Sequence, residues 1–398
     1  FITAMDFTTG AGFPYNKVKL HVLKKIPHER FPEGTYALTD EVRSQVDSAE
    51  ETLSKGERPN FIFNSSLKDE PISSVKLEAG KIRVFQALPI HGLFLLRKYF
   101  LSVIAIFQTY NFLSEAAIGM DATGGDWDEL HHYIFRPGWK VFCGDYSNYD
   151  QKMSSSIMME AWKILIAIAI RSGNYCPTSV KIMFGLAVEC CFCLVNFFGD
   201  LLQLNGTNPS GHSVTVVINS ICNSLYIRYA WFVIFGNLDD FEANVRVMTY
   251  GDDNIISVGP DFQERFNQVT VTAALASIGV TYTDAAKSGN AAKPFCQPYE
   301  ISLLKRSFVE REYGYAAPLE MASIHKMLLI GVHQNKVQEN DRLASVLLSS
   351  TMEMFHHGRE AFDVHLANAV KCAEEYDLKE WVAAKGGFPT YEQLSDRR

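Results

Sequence analysis

Two adjacent aspartates, Asp252 and Asp253, follow Gly251 between two short runs of strand-like alternation, Val245 to Tyr250 and Asn254 to Val258. The pattern predicts a β-hairpin whose tip carries two carboxylates. Like charges so close repel, so the pair is favourable only when solvated or when a cation sits between them. Taken alone, it is also an ordinary polar Gly-Asp turn. A third carboxylate, Asp145, ends a short apolar run from Trp139 to Cys143, read as a strand that stops at Gly144-Asp145. By itself Asp145 reads as a turn or helix-cap residue. If that strand lies beside the hairpin, three carboxylates converge. In-line phosphoryl transfer needs such a set, to hold two Mg2+ ions about 3.5–4 Å apart on the attacking and leaving oxygens. Hard Mg2+ prefers carboxylate and phosphate oxygen to sulfur or imidazole.

A second group of residues could read a sugar. Thr215 and Asn219, four apart, put a hydroxyl and an amide on one face of a helix. Ser210 and Gly211 lie in the loop before it, and Asp150, five residues after Asp145, could reach the same ribose. Any one of these alone is an ordinary polar helix or loop residue.

The elements that must position these groups are read from periodicity. A helix is expected near Leu93 to Phe107, and another from Ser154 as N-cap, with Ile157, Ala161, Ile164, Leu165 and Ile168 at helical spacing. The run Phe192 to Leu204 reads as a strand and Asn205 to Gly211 as a loop, followed by a helix from about Ser213 to Tyr229. Turns are expected at Gly10-Ala11-Gly12, Phe31-Pro32 and Arg58-Pro59. From Leu319 onward the pattern is helical: Met321 to Val332, Glu339 to Phe355 and Arg359 to Tyr376. The fold class is α+β with a helical C-terminal lobe.

Composition sets the frame. The 398 residues are 47% apolar and 21% charged, enough for a large core in two or three domains or one multi-lobed enzyme. The net charge of −8 does not advertise a nucleic-acid binder, yet a local basic channel is compatible with it. Lys17, Lys19, Lys24, Lys25 and Arg30 cluster early, which reads first as a solvated basic face. Cys190, Cys191 and Cys193 sit in an apolar run without histidines at zinc spacing and read as core. With no disulfide-type spacing, a reducing compartment is expected. Charges interrupt the apolar runs, so no membrane insertion is expected, and no signal peptide is visible. The chain opens on Phe1, as expected of a processed product or an excised fragment.

In order along the chain, these motifs resemble those of the picornavirus-like RNA-dependent RNA polymerases. Thr8-Thr9-Gly10-Ala11-Gly12-Phe13-Pro14-Tyr15 resembles the family's fingers stretch, and Lys68-Asp69-Glu70 through Lys76, Lys81 and Arg83 resembles its motif F. Gly119-Met120-Asp121 with Trp127 is similar to the segment preceding motif A. Asp145-Tyr146-Ser147-Asn148-Tyr149-Asp150 resembles motif A, Ser210 to Thr215 with Asn219 motif B, and Tyr250-Gly251-Asp252-Asp253 motif C. Asp284-Ala285-Ala286-Lys287-Ser288 looks like motif D and Leu304-Lys305-Arg306 like motif E. No single motif carries the likeness; their order and spacing do.

The resemblance implies a right-hand polymerase fold, with a palm of small antiparallel sheet backed by helices. Residues 1–136 would be fingers lacking their N-terminal part, 137–160 palm, 161–204 a return into the fingers, 205–314 palm again, and 315–398 a helical thumb. Asp145, Asp252, Asp253 and the Tyr146 carbonyl would bind two Mg2+ ions, with Mn2+ able to substitute. Asp150, Asn219, Ser210, Gly211 and Thr215 would select the ribonucleotide. Lys68, Lys76, Lys81 and Arg83 would hold the triphosphate, Lys287 would protonate the pyrophosphate leaving group, and Lys305 and Arg306 would grip the primer. Pro71-Ile72 stands where many relatives place a basic residue, so one triphosphate contact is either left unmade or shifted to another base. Implied partners are RNA template and primer, NTPs, a genome-linked protein primer and other viral replication proteins. The implied place is membrane-associated replication complexes in the host cytoplasm.

Two rivals stand beside this reading. A reverse transcriptase shares the paired-aspartate hairpin but is expected to carry a bulky gate against the ribose 2′-hydroxyl. An RNA-binding scaffold on the same fold would have no need of all three carboxylates.

Overall fold

The computed structural model of the chain describes residues 5–285, 293–331 and 338–396. Its strands, in chain order, are β1 (Leu23–His28), β2 (Phe31–Leu38), β3 (Ile62–Leu67), β4 (Val84–Ala87), β5 (Lys140–Tyr146), β6 (Leu194–Phe197), β7 (Asp200–Gln203), β8 (Val245–Tyr250), β9 (Asp253–Val258), β10 (Tyr282–Asp284), β11 (Val309–Arg311) and β12 (Gly314–Ala316). Two four-stranded sheets organise the centre. One is mixed, in the order β4-β3-β6-β7, with β3 and β6 parallel. The other is antiparallel throughout, in the order β10-β5-β9-β8.

The antiparallel sheet is buried on both faces, which explains why its strands read as nearly continuous apolar runs. Side chains alternate between faces with a period of two. Phe142, Val247 and Ile256 enter the main core, against the helices Thr215–Phe235 and Gln268–Ala276. Val141, Cys143, Met248 and Ile255 enter a second core with Trp127, Leu130 and Ile134 of the helix Asp126–Ile134. Each such fully buried side chain is worth roughly 1.5–3 kcal/mol of transfer free energy. A one-residue slip of β5 would exchange its two buried faces and move Asp145 off the hairpin, so packing fixes the register of the carboxylates.

Several elements differ from expectation. The turn between β1 and β2 falls at Glu29-Arg30, and Phe31 already belongs to β2. The run Phe192 to Leu204 is not one strand but the hairpin β6–β7, turning at Phe198 (φ 54°) and Gly199 (φ 115°). Strand β5 runs on to Tyr146, so Asp145 is its penultimate residue rather than its cap. The long helix spans Thr215–Phe235, starting later and ending later than read, because the apolar stretch after Tyr229 stays helical until Gly236 at φ 82°. Ser154 is at the N-cap position of the helix Ser155–Arg171 but its side chain makes no capping bond. The helix expected to reach Val332 ends at Leu329; Val332 lies outside the described residues.

Lys19, read as part of a solvated basic face, is 6% exposed and donates from Nζ to the Asp6 carbonyl (3.2 Å) and to Thr9 Oγ1. Cys190, Cys191 and Cys193 are buried as read, and burial pushes the Cys191 and Cys193 thiols up to about 12. The helix Ile90–Thr109 is long and apolar enough by composition to cross a membrane, but Leu95, Leu96, Phe100 and Val103 pack it into the main core. The C-terminal helices Glu339–Phe355 and Arg359–Glu375 enclose two smaller cores, one around Leu347 and Ala369, the other around Ile324, Phe355 and Phe362.

Candidate active site

Strands β5 and β9 bring the carboxylates together. Gly144 pairs with Asn254, so Asp145 and Asp253 are the next residues outward on neighbouring strands. Tyr250 pairs with Asp253 across a two-residue turn, Gly251-Asp252. Gly251 at φ 65° takes the first turn position, where a positive φ costs glycine nothing. Asp252 keeps a face to solvent, yet its pKa is raised, first by desolvation and then by the negative charges of Asp145 and Asp150. Arg83 works in the opposite direction. Four groups from separate parts of the chain are therefore within electrostatic reach of one point.

The long helix holds this turn from beneath. Asn223 Nδ2 lies 3.0, 3.0 and 3.3 Å from the carbonyls of Gly251, Asp252 and Asp253 and donates to them. Its Oδ1 accepts from Tyr146 Oη (3.0 Å) and Asn254 Nδ2 (3.1 Å). Ser220 Oγ accepts from Gly251 N at 2.9 Å. Asn254 Oδ1 accepts from Gly144 N (3.1 Å) and Tyr282 Oη (2.7 Å). One buried amide network thus ties the end of β5, the hairpin turn and the helix together. Sequence reading missed Asn223 and Ser220; the four-residue repeat of Thr215, Asn219 and Asn223 pointed to Asn223, whereas Ser220 lies outside it.

The loop before the helix packs by close backbone approach. Gly211 forms a parallel bridge with Ala87, and its carbonyl accepts from Leu88 N at 3.3 Å. A Cβ at Gly211 would lie 2.2 Å from the Gln86 carbonyl oxygen, so only glycine fits. Ser210 Oγ is buried with no hydrogen-bond partner, a polar atom in want of a ligand. The Thr215 hydroxyl lies 2.9 Å from each of the Pro209 and His212 carbonyls, so its proton is held by the loop. Asn219 Oδ1 accepts from Asn208 Nδ2 at 2.6 Å, and its carbonyl accepts from Tyr149 Oη at 2.8 Å. Asp150 follows Tyr149 in the short helix Tyr149–Lys152, and its carbonyl accepts from Asn208 N at 3.0 Å.

Of the four bases expected to hold the triphosphate, Arg83 is the one within electrostatic reach of Asp252. Lys76, Lys81 and Arg83 are exposed and Lys68 is half-buried, all on the connection between β3 and β4. Arg83 Nη1 pairs with Glu70 at 3.1 Å. Farther along, Leu304 and Lys305 both take left-handed φ values, 54° and 62°, in a tight turn closed by Leu303 and Arg306. Lys305 Nζ pairs with Glu320 at 2.5 Å on the surface. Arg306 spans Glu353 with both nitrogens, at 2.8 and 2.7 Å, and also donates to the Ala317 carbonyl. Its fork thus fastens the turn to the C-terminal helices. Lys287 lies outside the described residues.

The donor set fits a hard divalent cation: oxygen ligands only, with a carboxylate strained by its like-charged neighbours. Among the described residues, no three His, Cys, Asp or Glu side chains converge tightly enough to hold an ion unaided. Mg2+ commonly takes one or two carboxylates and completes its shell with water and substrate phosphates, which is what this arrangement offers.

A family model described as viral RNA-dependent RNA polymerase matches residues 2–373. The replicase polyprotein of Drosophila C virus (strain EB) is 28% identical over 383 residues, covering 91% of this chain and 21% of the polyprotein. That of Cricket paralysis virus is 28% identical over 336 residues, covering 81% of this chain and 19% of its own length. The chain thus spans about a fifth of each of these two relatives. The solved Sicinivirus 3Dpol RNA dependent RNA polymerase superposes with a TM-score of 0.76 at 19% identity, covering 99% of this chain and 77% of that one. This likeness establishes the right-hand polymerase fold that the sequence motifs implied. With the family match running through both sheets and into the C-terminal helices, the chain belongs to the viral RNA-dependent RNA polymerase family.

Proposed function

We propose that the chain adds ribonucleoside monophosphates to an RNA 3′ end under the direction of an RNA template, in the replication of a viral genome. The observation that carries this reading is the register that sets Asp145 beside Asp253 on paired strands, with Asp252 on the adjoining two-residue turn. Two Mg2+ ions, or Mn2+ in their place, held by Asp145, Asp252, Asp253 and the Tyr146 carbonyl, would neutralise charge on the attacking and leaving oxygens. Arg83, released from Glu70, meets the triphosphate together with Lys68, Lys76 and Lys81. Asp150 and the Asn219 amide receive the ribose 2′-hydroxyl, and the unpartnered Ser210 hydroxyl adds a third polar contact. Discrimination against deoxynucleotides arises because these groups stay unpaired when the 2′-hydroxyl is missing. Lys305, beside the tight turn, meets the primer backbone, and Lys287 supplies the proton for pyrophosphate.

On this reading, residues 1–136 and 161–204 form the fingers, 137–160 and 205–314 the palm, and 315–398 the thumb. Template and product are held through backbone phosphates, since a copying enzyme must accept every sequence. A genome-linked protein primer, other viral replication proteins and a membrane-associated site in the host cytoplasm complete the proposal.

The test is primer extension on a short RNA hairpin with Mg2+ and either NTPs or dNTPs, with Asp252→Asn alongside. Extension with NTPs, little with dNTPs and none in the folded variant is expected. Full activity in Asp252→Asn would sink the metal assignment. A preference for dNTPs would replace the RNA polymerase by a reverse transcriptase, and RNA binding without incorporation would leave a scaffold.

A further inference from the structure

Asn208 lies in the loop before the long helix and is 1% exposed. Its backbone N–H and both polar atoms of its side chain have partners. Its backbone N–H donates to the Asp150 carbonyl at 3.0 Å. Its Nδ2 donates to the Thr215 carbonyl at 3.3 Å and to Asn219 Oδ1 at 2.6 Å. Its Oδ1 meets His212 Nε2 at 3.1 Å.

The orientation of each amide follows from these contacts. The Thr215 carbonyl only accepts, so the Asn208 atom facing it must be the NH2 donor. The second hydrogen of that NH2 then faces Asn219, which must answer with Oδ1. Asn219 is left with its own NH2 turned away from Asn208. On the other side, Asn208 Oδ1 needs a donor, so His212 carries its proton on Nε2. His212 Nδ1 is then an acceptor, and Val214 N donates to it at 3.2 Å. Burial keeps this ring neutral, its pKa pulled down to about 3, so the chain of donors does not reverse near neutral pH.

We infer that Asn208 is the positioning residue for ribonucleotide selection: it fixes the Asn219 amide as a donor and anchors the backbone of Asp150, so that both groups meet the ribose 2′-hydroxyl together. The inference rests on the ribose reading proposed above. Without Asn208, the Asn219 amide is free to flip and present its oxygen where its NH2 belongs. Asn208 touches no substrate itself. Its side chain reaches the nucleotide through Asn219 alone; the Asp150 anchor is its backbone N–H, which every side-chain substitution keeps. Sequence reading passed over it because an Asn before Pro in a Gly-rich loop is an ordinary turn residue.

The experiment measures kcat/KM for a matched NTP and its dNTP on the RNA hairpin, in the full chain, for wild type, Asn208→Leu, Asn219→Ala and the double variant. Asn208→Ser, too short to reach Asn219, gives the same reading if the Leu variant fails to fold. The NTP-to-dNTP ratio should fall roughly tenfold in Asn208→Leu, about the worth of one well-made hydrogen bond. The double variant should lose no more than Asn219→Ala alone, because the two residues act through one contact. An unchanged ratio, or NTP and dNTP rates falling in parallel, would overturn the inference, as would additive losses. Those results leave the polymerase reading intact if wild type still prefers NTPs and Asn219→Ala still lowers that preference. A wild-type chain that extends with neither nucleotide would instead remove the polymerase reading, and the inference with it.

Discussion

Beneath the Gly251 turn, three consecutive carbonyls converge on the single NH2 of Asn223, while its oxygen takes the Tyr146 hydroxyl and the Asn254 amide. Such a hub does two jobs that one mutation can separate. Asn223→Ala strands several buried polar groups, and the expected cost is about 1–3 kcal/mol of stability, read from thermal melts. It also frees the turn that aims Asp252. A displacement on the scale of an ångström costs on the order of a hundredfold in rate when reacting groups must be held in line. Single-turnover incorporation by the folded variant should fall by that order. A rate near wild type would mean that β8 and β9 position the turn without the amide.

At the scale of elements, the ion pair between Arg306 and Glu353 joins the turn after Leu303 to the helix Glu339–Phe355. Both side chains are mostly buried, at 15% and 17% exposure, so neither charge is well hydrated when its partner is lost. Glu353→Gln keeps the shape and removes the charge. The expected result is a loss of about 2–4 kcal/mol, seen as a lower unfolding midpoint. RNA affinity at fixed salt should hardly change if the Arg306 fork is structural. A tighter complex with a steeper salt dependence, by about one unit of slope, would show instead that the freed Arg306 reaches a phosphate.

For the whole molecule, acid sensitivity follows from three neutral histidines, His212 buried and His91 and His131 half-buried. Burial pulls His91 and His131 down to about 4 and His212 to about 3, from an ordinary value of 6.5. Between those values the unfolded chain binds protons that the folded chain refuses. The stability of the neutral rings is therefore full above pH 6.5 and is lost progressively as pH falls toward the folded values. Thermal midpoints should drop between about pH 7.5 and about pH 5. A flat profile over that window would mean that the rings are protonated in place, against their burial. The carboxylates of Glu50 and Asp121, held low by hydrogen-bonded partners, extend the same trend at lower pH.

The sequence by itself determined the family and the elements that carry its carboxylates. Gly251-Asp252-Asp253 between two alternating runs declared the hairpin, the Asp145 strand was legible from its apolar run, and the helices starting at Glu339 and Arg359 were found almost to the residue. These features are local: period, turn residues and charge are carried by neighbours in the chain. Only the tertiary structure decided what holds the carboxylates in place. Asn254 and Asn208 look unremarkable in sequence because an amide acquires meaning from partners that lie distant along the chain. The Phe192 to Leu204 stretch was misread for the related reason that an apolar run does not say where it folds back; the turn at Phe198-Gly199 is set by pairing β6 to β3. Asp145 could be named from the sequence, but its place beside Asp253 depends on register, which both buried faces of the sheet impose together.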